Sequence, residues 1–241
     1  MSEKSAGKGA LYLIPVALGG DNPSSLLSPS TLDIARNLRT FVVENAKSAR
    51  HFLKKIGHPL PLQEIHLHVL DEHTAERDVP TLLAPLLAGQ DCGLMSEAGC
   101  PAVADPGATL VRLAHESGVR VVPLVGPSAI LLALMASGMD GQRFTFHGYL
   151  PAESVQRARR LKELDSRSTH ETQIFIETPY RNAAMLNSLL ENCRENTLLC
   201  IAADLTLPAE SVATRSVGEW KKKPPALDRR LVVFLLFRTQ R

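Results

Sequence analysis

Two acids, two prolines and two glycines crowd the twelve residues Ser96–Gly107, SEAGCPAVADPG, directly after the apolar run Gly93-Leu94-Met95. A second turn-rich stretch, LVGPSA, covers Leu124–Ala129. Glycine-rich turns at the C-terminal ends of strands are where open α/β sheets bind their ligands. In the first turn Gly99, without a Cβ, lets backbone come close to a ligand, and Glu97, Ala98 and Val103 line the same loop. Asp105-Pro106 reads as the N-cap and first residue of the next helix. Ser128 and Ala129 open another helix, whose N–H groups and positive dipole end suit a carboxylate. Other chemistries find less support. His66 and His68 share one strand face in HLHVLDEH and His73 follows, but no matching ligand cluster accompanies them, so no metal is expected. Neither a G-x-S-x-G elbow nor a G-x-x-x-x-G-K-[ST] phosphate loop occurs.

The elements that must carry these turns alternate. Strands are expected at Ala10–Leu18, Thr40–Val43, residues 65–70, Cys92–Met95 and residues 119–124. Helices are expected near Pro29–Leu38, over residues 46–57, in the second half of residues 74–89, over residues 106–118 and after Ser128. Strand–helix alternation with short connections predicts a parallel sheet covered on both faces. After FTFHGYLPAES the character changes. A charged helix (Val155–Leu164), the strand TQIFIE, a helix over residues 179–193 and the strand TLLCIAADL come next. Two final strands, SVATRSVGEW and RLVVFLLF, complete a second, mixed sheet. The expected division is a disordered lead-in at 1–9, an N-terminal α/β domain at 10–147, a linker at 148–152 and a C-terminal α/β domain at 153–241.

Composition sets loose bounds. The formal charge is +2, but residues 151–241 hold 15 Lys and Arg against 11 Asp and Glu, and the first 150 hold 12 against 14. A mildly basic C-terminal half can meet phosphate. With one Trp and 5% aromatic residues, RNA binding would rest on basic side chains, chiefly Arg157, Arg159, Arg160 and Lys162, with Lys221–Lys223 contributing. Cys92, Cys100, Cys193 and Cys200 lack C-x-x-C spacing and read as reduced thiols of a cytoplasmic protein. The uncharged run Val121–Met139 is nineteen residues long, but Pro123, Gly126 and Pro127 break it into strand, turn and short helix, so no membrane span is expected.

In order along the chain stand SEAGCPAVADPGATLV, VVPLVGPSA, FHGYLP followed by RARRLKEL, and IFIETPYR. Together they resemble the small-subunit ribosomal RNA methyltransferase I family, within the tetrapyrrole-methylase-like (class III) S-adenosylmethionine-dependent methyltransferases. The resemblance covers nearly the whole chain. It implies a two-domain α/β protein, usually homodimeric, with the methyl donor S-adenosylmethionine in the cleft between domains and RNA or a ribosomal subunit as partner. Carried over by motif, the donor site comprises Pro15, Glu97, Ala98, Gly99, Val103, Asp105, Ser128, Ala129, Leu150, Tyr180 and Leu205. A ribose 2′-hydroxyl acceptor must lose a proton, a task for a nearby carboxylate, His or Lys. Glu44, at a strand end where the family places an acidic motif, is the candidate base, with Glu97 and Asp105 next. The chain departs from the family pattern at Glu44-Asn45-Ala46-Lys47, in PVALGGDN, and at Leu207, where the family has lysine.

Overall fold

The computed structural model describes residues 7–20 and 22–238. It divides the chain into two compact units, residues 1–128 and 129–241. The division falls ahead of residues 148–152, where the sequence placed it. The reason is pairing: the strand Phe144–Tyr149 joins the second sheet, and the helix Ala129–Ser137 packs on that sheet too.

The first unit is a parallel sheet of β1 (Ala10–Leu13), β2 (Thr40–Val43), β3 (His66–Val69), β4 (Cys92–Met95) and β5 (Arg120–Pro123) in the order β3-β2-β4-β1-β5. Every residue of β2 and β4 is buried, as expected of strands covered on both faces. Helices α1 (Pro29–Asn37) and α2 (Ala46–Lys55) place Leu32, Ala35, Phe52 and Leu53 against Ile14 and Phe41 on one face. The short α3 (Ala84–Leu87), preceded by a 3-10 stretch at Glu76–Leu83, and α4 (Ala108–Glu116) pack against Leu11, Val42 and Leu94 on the other. Local signals set the ends of α2. The Asn45 side chain accepts from Lys47 N and Ser48 N. At the other end Gly57, at φ +70°, donates to Lys54 O while His58 N reaches back to Leu53 O, a glycine-terminated stop.

Three expectations need correction here. β1 ends at Leu13, not Leu18, because Pro15 has no N–H with which to continue a ladder. Part of the expected lead-in is ordered: Gly9 N donates to Leu86 O and Lys8 Nζ to Ser117 O, whereas residues 1–6 lie outside the described residues. Asp105 is not the cap of α4, which begins at Ala108 after Gly107.

The second unit holds α5 (Ala129–Ser137), β6 (Phe144–Tyr149), α6 (Ser154–Arg167), β7 (Thr172–Glu177), α7 (Asn182–Asn192), β8 (Leu198–Ala203), β9 (Ser211–Ser216), α8 (Val217–Lys222) and β10 (Val232–Phe237). Its sheet runs β6-β7-β10-β8-β9, with β6 and β7 parallel and β10 antiparallel to both β7 and β8. Phe175 and Phe234 stack at 5.6 Å in its core. The stretch VGEW, expected to extend β9, instead forms α8. Ser216 and Glu219 make a reciprocal capping box, and Trp220 turns inward to donate to Leu199 O at 2.9 Å. Among the described residues no helix is long and apolar enough to cross a membrane.

Candidate functional site

In the first sheet β4 and β1 are neighbours, yet the chain leaves them in opposite directions, from β1 toward β2 and from β4 over to β5. Such a switch point opens a crevice at the C-terminal ends of the strands. Pro15, Val16 and the Gly99 turn lie there. Val16 and Gly99 exchange backbone bonds of 2.8 and 2.9 Å, tying the turn after β4 to the segment after β1. Gly99 holds φ +73°, the left-handed region that glycine enters without cost. The turn after β5 joins them: Cys100 Sγ lies 3.5 Å from Pro127 O, and Thr31 Oγ1 donates to Val125 O at 2.9 Å. A Cβ on Gly126 would sit 2.2 Å from Pro15 Cβ, so this close approach requires glycine. Pro15, Gly99 and Ser128 thus close three adjacent strand ends, with Glu97, Ala98 and Val103 exposed above them. Ala129 belongs to the second unit, as the first residue of α5.

The acids converge on the same edge. Glu44, directly after β2, accepts the Glu97 N–H at 3.1 Å through Oε2. Glu44, Ser96 and Asp105 line one niche of about 10 Å³, room for a single water at most. Burial pushes the Asp105 carboxyl up to about 6, the Glu44 and Glu97 charges add to the rise, and a hydrogen bond with Ser96 opposes it. An acid tuned close to neutral is suited to taking a proton. Glu44, the favoured base from sequence, spends one oxygen holding the turn. Strain marks the loop as well: Ala102 and Ala104, at φ +65° and +64°, flank Val103 on both sides. Non-glycine residues in this region cost about 1–3 kcal/mol each and gather where a site needs a particular backbone.

The second unit presents a comparable edge. β6, β7 and β8 all point the same way, since β10 runs antiparallel to both β7 and β8. Leu150, Tyr180 and Leu205 follow their C-terminal ends. Leu150 and Leu205 are buried, and Tyr180 is 86% exposed. Leu205 repeats the pattern seen at Val103, standing between Asp204 at φ +51° and Thr206 at φ +70°. That turn is clamped: Asp204 accepts from Arg230 Nε at 2.6 Å and from Leu231 N at 2.9 Å, and Thr206 N donates to Glu210 at 2.7 Å. Leu207, at the departure from the family pattern, is half-buried.

Comparison with known proteins gives the family. The family model for tetrapyrrole (corrin/porphyrin) methylases matches residues 12–220. The ribosomal RNA small subunit methyltransferase I of Escherichia coli O157:H7 is 32% identical over 219 residues, spanning 90% of this chain and 73% of that one. The protein of the same name from Xylella fastidiosa strain Temecula1 is 36% identical over 208 residues, 85% of this chain and 71% of that one. The chain belongs to the tetrapyrrole methylase family. It is a divergent member allied to the ribosomal RNA small subunit methyltransferases I, and an S-adenosylmethionine-dependent methyltransferase. In fold it matches the crystal structure of the methyltransferase CobJ with a TM-score of 0.63 at 17% identity, covering 95% of this chain and 99% of that one.

For this methylase several neighbours of the candidate residues were not foreseen. Glu177 and Arg181 flank Tyr180 in ETPYR and pair at 2.7 Å, which their spacing did not announce because residues 178–180 form a turn and not a helix. The left-handed alanines 102 and 104 left no sequence trace, because alanine carries no preference for that conformation. Arg157, expected on a basic flank, is instead buried and donates to Ser188 Oγ and Ala152 O. Arg160 is engaged with Glu163 and with His147 Nδ1. Arg159 remains 85% exposed and Lys162 is exposed beside it.

Proposed function

We propose that this methyltransferase acts on small-subunit ribosomal RNA, at a ribose 2′-hydroxyl, in the cytoplasm. The similarity of 32–36% over 85–90% of the chain to proteins named as ribosomal RNA small subunit methyltransferases carries this reading. When bound, S-adenosylmethionine supplies an electrophilic methyl group on a sulfonium. The chain fits it in kind: close backbone approach at Gly99, an exposed apolar Val103, and the Glu44, Glu97 and Asp105 carboxylates to favour a cationic centre. Pro15, Glu97, Ala98, Gly99, Val103 and Ser128 of the first unit hold the donor. Ala129, Leu150, Tyr180 and Leu205 are carried over by motif as further donor contacts. Asp105 takes the proton of the acceptor hydroxyl through one water, the most its niche holds, and Glu44 fixes the Glu97 turn while raising the proton affinity of Asp105. Arg159 and Lys162, on the open groove of about 790 Å³ along α6 and α7, meet RNA phosphate.

The chain works as a homodimer. α5 is apolar on every face, and it leaves Leu131 50% and Met135 78% exposed, a surface suited to a second copy. Transfer of tritiated methyl groups to small ribosomal subunits, transfer RNA and a tetrapyrrole, with nuclease digestion of the products, tests the acceptor. Label in small-subunit RNA is expected. Label in the tetrapyrrole alone would replace RNA with a small-molecule acceptor, and donor binding without any transfer would make the chain a binding protein.

A further inference from the structure

β6 carries one residue more than β7 opposite it: Phe146 pairs with Ile174 and Tyr149 with Ile176, and Gly148 sits at φ +63° within the irregularity. An extra residue of this kind bends a strand and re-aims the residues after it. The first of these is Leu150, whose carbonyl lies past the regular ladder. Its donor comes from ETPYR. Arg181 Nη2 reaches Leu150 O at 3.2 Å and, with the same nitrogen, Glu177 Oε2 at 2.7 Å. The other Glu177 oxygen accepts the Thr178 N–H at 2.7 Å. The Glu177 side chain is 0% exposed, so Arg181 is what compensates a buried charge. Tyr180, between them, points outward at 86% exposure.

We propose that Glu177 and Arg181 are positioning residues for the methyl donor: the buried carboxylate orients the guanidinium, and the guanidinium fixes the backbone of Leu150 where the bulge delivers it. This rests on the reading of Leu150 as a donor contact. A contact segment that is not held in place must be ordered when the donor binds, and that cost is taken from affinity, so the backbone of such a contact must be held.

Arg181→Met alone would strand the Glu177 charge, so the informative variant is Glu177→Gln/Arg181→Met, which removes charge and donor together at similar volume. Its Kd for S-adenosylhomocysteine, read by calorimetry, should rise about tenfold. KM for S-adenosylmethionine should rise with it, with kcat at saturating donor largely kept. Arg181→Lys, which retains the charge but not the planar fork, should fall between the two and serves should the double variant not fold. Wild-type affinity in either folded variant would overturn the proposal, whatever happens to the melting temperature. Hydrogen exchange on the wild type separates the two layers. S-adenosylhomocysteine should slow amide exchange at Tyr149 and Leu150; no slowing there would remove Leu150 from the donor site, and the proposal with it.

Discussion

Replacing Asp105 by Asn changes charge and almost nothing else, which makes it a sharp probe of the acid cluster. The carboxyl rises from an ordinary 3.8 to about 6 in the folded chain. At about 1.4 kcal/mol for each tenfold change in proton affinity, that rise sets a ceiling near 3 kcal/mol. Asp105 keeps partial solvent contact, and screening reduces this to roughly 1–2 kcal/mol. The sign comes from linkage. Between pH 3.8 and about 6 the folded state binds more protons than the unfolded one, so this contribution to stability is complete below pH 3.8 and lost as pH rises through 6. Asparagine mimics the protonated acid at every pH. Asp105→Asn should therefore match wild type near pH 4 and become more stable by about 1–2 kcal/mol at pH 7–8, or by roughly 2–6 °C in melting temperature. The same variant should lose about 100-fold or more in kcat and keep its affinity for S-adenosylhomocysteine. Urea melts at five pH values, with single-turnover methyl transfer, measure both. Stability curves that stay superposed from pH 4 to pH 8 would refute the electrostatic argument, and full activity would refute the proton transfer.

Burial, reinforced by Arg160 and Arg167 and opposed by Gln173 and Glu171, holds His147 below its ordinary 6.5. Stability should thus fall as pH drops from 6.5, and His147→Gln, which can still donate to Gln173 and accept from Arg160, should remove that loss in urea melts between pH 5 and 7. Arg159→Ala/Lys162→Ala should weaken binding to small-subunit RNA and lower the slope of log affinity against log salt by about 2, with donor affinity unchanged in calorimetry. Met135→Glu should shift sedimentation at micromolar concentration from dimer to monomer, and an unchanged profile would place the dimer contact away from α5.

The turns at the candidate edge of the first unit were legible from their glycines, and Gly99 does hold a positive φ. The cap that Asn45 places on α2 and the approach of Pro15 to Gly126 were not read from the sequence. Most helices and strands were readable from periodicity and punctuation. What escaped was tertiary. Asp105-Pro106 has the composition of a helix start, yet the loop runs two residues further and the carboxylate turns to Ser96, a choice made by packing at the strand end. VGEW reads as a strand until Ser216 and Glu219 cap each other. The division into compact units falls ahead of residues 148–152 because α5, which reads as the last helix of an α/β alternation, packs on β9 and β10, strands more than seventy residues later.

The central claim is that the methyl donor sits at the C-terminal edge of the first sheet. The opposite edge offers a hollow of about 490 Å³ lined by Tyr12, Arg39, His66 and Asp91, which makes the alternative concrete. Hydrogen exchange with and without S-adenosylhomocysteine distinguishes the two directly. Protection over residues 96–105 and 124–128, with residues 37–40 and 90–91 unchanged, is the predicted result; protection confined to residues 37–40 and 90–91 would contradict it.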